Sequence, residues 1–312
     1  MKLVSIHKYE LDLDHRLQWL TYSSIQKSFI TGDENNSIAV STKASTTALN
    51  AADFTNKSQF NLPLPANIYE ELTGQLWHGF LFLKPDEYVL SDECADEFAG
   101  DHLRTLVFGP DYGHCVKDPK SNLVFSLSCH EIVLMKETVD GLRPIDSRKT
   151  RGKEALAYAL HPKEKTIVYG DNYGTFFQHT FSHKGICKGR QFAVKERKAS
   201  CIDFINRGNY LLIGGMGYLC LYLHHKGKLK ELTTKSLPVR DFLWLPQRRL
   251  IIVNEGLHGL SVHQLKDEQI ANIATFKSCE AIFHIASSPC ENYLALTYQG
   301  KSQLEILQLK QD

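Results

Sequence analysis

One period governs the second half of this sequence. β-rich apolar segments begin at Thr166, Tyr210, Leu250 and Tyr293, about 40 to 44 residues apart, which is the length of a four-stranded antiparallel unit. Each is preceded by another apolar strand and a polar turn, and followed by a Gly or Asn turn and a third alternating strand. In the first unit Ala155-Leu-Ala-Tyr-Ala-Leu leads through His161-Pro-Lys-Glu-Lys to Thr166-Ile-Val-Tyr. The turn Gly170-Asp-Asn-Tyr-Gly174 then opens Thr175-Phe-Phe-Gln-His-Thr-Phe. The later units begin near Ser200, Val239 and Ala281 and share this plan. Alternation of period two, with β-branched and aromatic residues between Gly and Asn turns, specifies strands rather than helices. Fourth strands are predicted at Gln191-Phe-Ala-Val, Leu229-Lys-Glu-Leu and Ile273-Ala-Thr-Phe.

The first half follows the plan less cleanly. One unit is built from Leu17-Gln-Trp-Leu, Ser28-Phe-Ile-Thr and Ser37-Ile-Ala-Val, and a second from Gly79-Phe-Leu-Phe-Leu, Tyr88-Val-Leu-Ser and Leu103-Arg-Thr-Leu-Val-Phe. A third uses His114-Cys-Val-Lys, Leu123-Val-Phe-Ser-Leu and Ile132-Val-Leu-Met. The expectation is an all-β chain, residues 1–312 forming a single seven-bladed β-propeller; six blades result if the first half is over-divided. The last unit is one strand short, and Lys2-Leu-Val-Ser-Ile-His at the other end is an unassigned strand. Pairing the two would close the array and remove its exposed edges. Residues 43–77 exceed what one strand and a turn require. They read either as a rim insertion with a short helix over residues 68–76, or as a poorly marked strand with a long loop.

The units around residues 155–180 and 239–265 resemble WD40 repeats, His161-Pro lying at the turn between first and second strands and Gly170-Asp-Asn-Tyr-Gly174 at the next. No Trp-Asp dipeptide ends a third strand. The resemblance implies a scaffold for protein complexes, which is an analogy of fold rather than of site.

Composition narrows the rest. With 43% hydrophobic and 23% charged residues the chain can bury a large core, and a net charge of +1 gives no global field toward nucleic acid or an acidic membrane. The eight cysteines contain no C-x-x-C pair, and several sit in strand patterns such as Tyr218-Leu-Cys220-Leu-Tyr222. That is the pattern of buried free thiols in a reducing compartment. The N-terminus has no apolar h-region, and the longest apolar stretch, Tyr210 to Leu223, is broken by glycines and too short to span a bilayer. These features predict a cytoplasmic protein.

Motifs for chemistry are weak. Among fourteen histidines, His224 and His225 should point to opposite sides of a strand, and neither the pair His258 and His263 nor the pair His179 and His183 has a partner at a ligand interval. A surface or turn role is expected for His224-His225, with no metal and no cofactor. There is no G-x-S-x-G elbow, Gly214-Gly-Met-Gly217 reads as a hairpin turn rather than a phosphate loop, and the acidic turns near residues 32–36 and 91–97 lack regular calcium-ligand spacing.

The informative bias is basic. The predicted connections between units carry Arg148, Lys149, Arg151 and Lys153; Lys195, Arg197 and Lys198; Arg240; and Lys277. On a propeller these loops open on one face, where cations meet carboxylate or phosphate through charge-assisted hydrogen bonds. Ordinary solvated loop charge is the competing reading. Trp77, Tyr112 and Phe242 lie near the same loops as candidate aromatic anchors, or as core. The leading expectation is a non-catalytic protein-protein interaction platform, a monomeric propeller within a larger complex, holding an acidic or phosphorylated segment. An enzyme with its site at the central channel, and a nucleic-acid or phosphate-ligand binder, are the alternatives.

Overall fold

The computed structural model describes residues 1–10, 17–23, 28–33, 38–40, 58–60, 76–77, 80–84, 87–89, 114–118, 120–127, 131–138, 141–149, 155–195 and 197–310. The described chain is all-β, with short 3-10 turns at Asn206–Gly208 and Gly256–His258. Among the described residues no helix is long and apolar enough to cross a membrane.

Seven antiparallel sheets follow one another among the described residues. Sheet 1 holds Leu17–Ser23, Ser28–Asp33, Ile38–Val40 and Ser58–Phe60; sheet 2 holds Leu76–Trp77, Phe80–Lys84 and Glu87–Val89. Sheet 3 runs through His114–Lys117, Leu123–Leu127, Glu131–Thr138 and Gly141–Lys149. Sheet 4 comprises Ala155–Leu160, Thr166–Asp171 and Thr175–Ser182, whose last strand pairs with both Gly185–Ile186 and Arg190–Val194. Sheet 5 is Ala199–Ile205, Tyr210–Gly215, Tyr218–His225 and Lys228–Lys235; sheet 6 is Asp241–Leu245, Leu250–Asn254, Leu260–Lys266 and Gln269–Phe276. In sheet 7, Ile282–Ser287, Tyr293–Tyr298 and Gln303–Lys310 are joined by the N-terminal strand Lys2–Glu10, which pairs antiparallel with the last of them from Lys2↔Lys310 to Glu10↔Gln303.

The second strands of sheets 4 to 7 start at the residues that set the period. In the first half the structure adds strands that the pattern left out. Ser58–Phe60 lies inside the stretch 43–77 and pairs with Ile38–Val40, and Leu76, the end of the supposed helix, opens a strand paired through Leu76↔Leu81. The rest of 43–77 and the segment Leu103-Arg-Thr-Leu-Val-Phe lie outside the described residues.

The chain divides into two compact units, Met1–Glu71 with Leu232–Asp312, and Leu72–Glu231. Within each, neighbouring sheets bury one another, and strand alternation decides which side chain goes where. In Thr166–Asp171 every residue is buried, yet Ile167 and Tyr169 pack against Leu123, Phe125, Ile132 and Leu134 of sheet 3. Val168, one position out of phase, packs with Ile202, Leu211 and Ile213 of sheet 5. In the other unit Tyr293 and Ala295 meet Phe29 of sheet 1, while Leu294 and Leu296 meet Leu250, Ile252 and Val262 of sheet 6. Both faces of such a strand leave water, and each fully buried large side chain contributes about 1.5–3 kcal/mol.

Buried polar groups tie the first hairpin turns of neighbouring sheets. His161 Nδ1 accepts the N–H groups of Lys163 (3.1 Å) and Glu164 (2.8 Å) and its Nε2 meets the Gly208 carbonyl at 3.1 Å. The Glu291 carboxylate of sheet 7 accepts the N–H groups of Gln247 and Arg248 in sheet 6, each at 3.0 Å. Cys187, Cys201, Cys220, Cys279 and Cys290 are not in disulfides; Cys220 is buried as its strand position predicts, whereas Cys187, Cys279 and Cys290 are exposed in turns and connections.

Candidate partner-binding face

In the unit 72–231, the connection from sheet 4 to sheet 5 runs across the second hairpin turns of both sheets. Lys195 N–H donates to the Gly174 carbonyl at 2.8 Å, and a Cβ on Gly174, whose φ is +78°, would lie 2.6 Å from the Arg197 carbonyl. That turn is built locally: Asp171 Oδ1 accepts the N–H groups of Tyr173 (2.9 Å) and Thr175 (2.8 Å), an Asx arrangement that lets the chain reverse with glycine at the left-handed position. Further along, Arg197 Nη1 donates to the Met216 carbonyl at 3.2 Å, and Tyr218 Oη donates to the Arg197 carbonyl at 3.0 Å. Met216 and Gly217 form the tight turn of a hairpin whose last pair is Gly215↔Tyr218, so the Gly-Gly-Met-Gly run is a hairpin, as its spacing predicts.

This arrangement leaves Tyr173 and Met216 each 56% exposed, with Val194 at 60%. Arg197 and Lys198 beside them are exposed as well. Lys195 behaves differently. Its ammonium is bonded to both Glu231 oxygens at 3.0 and 2.9 Å and sits 6.0 Å from the centre of the Tyr222 ring. Burial works against that charge, but the Glu231 carboxylate and the Cys220 sulfur together outweigh it, and the lysine pKa is raised. Glu231 also accepts the Tyr222 hydroxyl at 2.9 Å. Lys195 therefore holds the fold together, while Arg197 and Lys198 face outward.

Arg148 and Lys149 are not in a connection. They continue the outer strand Gly141–Lys149, paired through Ile132↔Arg148 and Glu131↔Lys149. The ladder simply runs on, and exposed cations on an outer strand are a usual guard against edge pairing. Arg148 donates from Nε to the Ile186 carbonyl (3.1 Å) and lies 3.4 Å from Asp146. Arg151, Lys153 and Tyr112 lie outside the described residues, and Trp77 stands in a two-residue strand opposite Phe80.

In the unit formed by residues 1–71 and 232–312, Arg240 and Lys277 stand beside the second hairpin turn of sheet 6. A Cβ on Gly259 would meet the Phe276 carbonyl at 2.0 Å, which sets the connection holding exposed Lys277 against the turn where Leu257 is 71% exposed. Arg240 Nη1 donates to Gln299 Oε1 at 3.0 Å, its guanidinium stacks 4.6 Å from the Phe283 ring, and burial lowers its pKa. Phe242 is 7% exposed: it is a core side chain on the inward phase of Asp241–Leu245, not an anchor for a partner. The neighbouring Asp241 accepts the Phe242 N–H at 2.7 Å, and burial pushes its carboxyl up to about 6.

The apolar residues that stand out, Tyr173, Met216 and Leu257, were missed because a reading by charge passes over them. They share one signal: each occupies a second hairpin turn one or two positions before a glycine of positive φ, namely Gly174, Gly217 and Gly259. A residue there points away from both sheet faces.

Two other places gather polar side chains or enclose space. His161, Glu164 and His224 bring ligating atoms within 4.8 Å of one another. The expected outward His224 is buried, 7% exposed, while His225 is exposed on the other side of the strand. Two backbone donors on Nδ1 fix the proton of His161 on Nε2, toward Gly208. A metal at Nε2 would need the proton on Nδ1, facing two N–H groups, so this hydrogen bonding suits a neutral latch. Burial, and for His161 the neighbouring His224, lower both imidazole pKa values. In the other unit a cavity of about 420 Å³ is lined by Leu20, Leu243, Ile285, Ala286, Ser288 and Glu291 among others. It is largely aliphatic, and its Glu291 is already engaged by Gln247 and Arg248.

No protein-family model matches this chain, and no curated protein matches it by sequence.

Proposed function

We propose that the seven sheets are blades of a β-propeller, with the N-terminal strand completing the last blade, and that the protein is a non-catalytic platform in the cytosol holding a protein partner. The propeller reading is supported by sheets that follow one another in chain order and by the pairing of Lys2–Glu10 with Gln303–Lys310. The observation that carries the platform reading is the exposure of Tyr173, Val194 and Met216 on the two turns and the strand end that Lys195 and Arg197 bridge, with Arg197 and Lys198 exposed as well. Large apolar side chains gathered on a surface mark places where another molecule covers them, and cations at their border give orientation and specificity. The reading is tested by affinity capture of the tagged protein from its own cells, with and without nuclease. A stoichiometric protein partner that survives nuclease is expected; an empty capture, or one emptied by nuclease, overturns the platform reading.

A second reading, a reaction centre, draws on Asp241 alone, a carboxyl group kept protonated to higher pH than usual by its surroundings. It predicts a turnover that Asp241→Asn abolishes with no change in partner capture.

A further inference from the structure

Lys195 and Arg197 bridge two turns, and the surface beside them is mixed in chemistry. Three side chains offer apolar surface to solvent. Two offer positive charge, since Arg197 commits one nitrogen to Met216 and keeps the rest of its donor fork, and Lys198 is exposed one residue further. The third lysine-type charge of the segment, Lys195, is neutralised by Glu231. A nucleic-acid backbone is poorly served here: it asks for a row of cations along its track, whereas Val194 and Met216 have nothing to give a phosphate and only Arg197 and Lys198 offer it an exposed charge. A peptide with carboxylates next to an apolar side chain suits both the exposed apolar side chains and the two exposed cations.

Resting on the platform reading, we infer that this patch binds a short acidic segment of a partner protein. An aliphatic or aromatic side chain of that segment packs between Tyr173 and Met216, and its carboxylates meet Arg197 and Lys198. The turns are held by Asp171 and by the Tyr218–Arg197 bond before any partner arrives, so the site loses little order on binding.

The test uses the full-length protein and a displayed library of random peptides about twelve residues long. Enriched peptides are expected to combine Asp or Glu with Leu, Ile, Phe or Trp. One of them, synthesised with a fluorophore, should bind with an affinity reduced about tenfold or more by Met216→Asp and about fivefold or more by Arg197→Ser. Both residues are exposed, so the thermal midpoint of each variant should match that of the parent. No enrichment, enrichment of basic sequences, or binding that survives both substitutions overturns the proposal; so does an oligothymidine probe that outcompetes the peptide. Failure of the site and failure of the platform separate cleanly. A captured partner retained in full by the Met216→Asp, Arg197→Ser double variant overturns this site alone, while absence of any partner from the parent protein overturns the platform reading too.

Discussion

Gly208 has no side chain where the ring of His161 lies: a Cβ built on Gly208 would sit 2.3 Å from His161 Nε2, and the same imidazole bonds the Gly208 carbonyl at 3.1 Å. The contact ties the first hairpin turns of sheets 4 and 5. Gly208→Ala meets both a clash and a left-handed backbone, φ being +88°, and should cost at least about 1–3 kcal/mol in chemical denaturation. Removing the ring relieves the clash. The double variant Gly208→Ala, His161→Ala should therefore lose less stability than the sum of the two single variants.

Glu291 performs the corresponding task between sheets 7 and 6 with a carboxylate. Each of its oxygens accepts one backbone N–H, from Gln247 and from Arg248. Glu291→Ala leaves two donors of a part-buried turn without their acceptor and should cost about 1–3 kcal/mol, while Glu291→Gln keeps one oxygen and should cost less than half of that by urea denaturation.

His263 sets an acid limit. It is buried, 2% exposed, with Nε2 at 2.8 Å from Ser261 Oγ, and burial lowers its pKa from 6.5 to about 4. The unfolded chain thus binds the proton first as pH falls. The stability this neutral ring contributes is complete above pH 6.5 and is lost between about 6.5 and 4, on the order of 1–3 kcal/mol in all. His161 and His224 add to the loss with the same sign. Unfolding measured from pH 7 to pH 4 should show this slope, shallower in His263→Gln.

Asp241 has the opposite sign. Its carboxyl is pushed from 3.8 to about 6 in the folded chain, so the folded form holds its proton longer and stability falls as pH rises through that window. Asp241→Asn should stabilise the protein at pH 7 by about 1–3 kcal/mol and leave it unchanged near pH 3.5. Equal stability of parent and variant across the range would show that the carboxyl is not held against its own ionisation.

The N-terminal strand is the fourth member of sheet 7, and Leu3 is part of the core shared with sheet 6. Deleting residues 2–10 should expose the edge of Gln303–Lys310, lower the thermal midpoint and promote association through that edge. A synthetic peptide of residues 2–10, added in excess, should restore part of the midpoint by mass action.

Strand positions in the second half were legible from the sequence because each strand is bounded by turn residues and alternates with a period of two. Thr166, Tyr210, Leu250 and Tyr293 begin strands for that reason. The pairing of Lys2–Glu10 with Gln303–Lys310 was also readable, since a sheet lacking a strand and a strand lacking a sheet satisfy one another. Ser58–Phe60 was not. Three residues carry too little alternation to distinguish a strand from the polar segment around them, and only the ladder to Ile38–Val40 defines it.

For the candidate site, the sequence determined by itself that cations gather near residues 195–198, that tight turns stand at Gly174 and Gly217, and which residues alternate into strands. Only the tertiary structure decided what each group does there. Lys195 is spent on Glu231, thirty-six positions away; Phe242 turns into the core; Arg148 continues a strand; Tyr173 and Met216 stand on two turns that Arg197 spans. The physical reason is one of range. Turn chemistry and alternation act over a few residues and are written locally, whereas the partner of a charge, or the cover over an apolar side chain, is chosen by segments that come together only when the sheets pack.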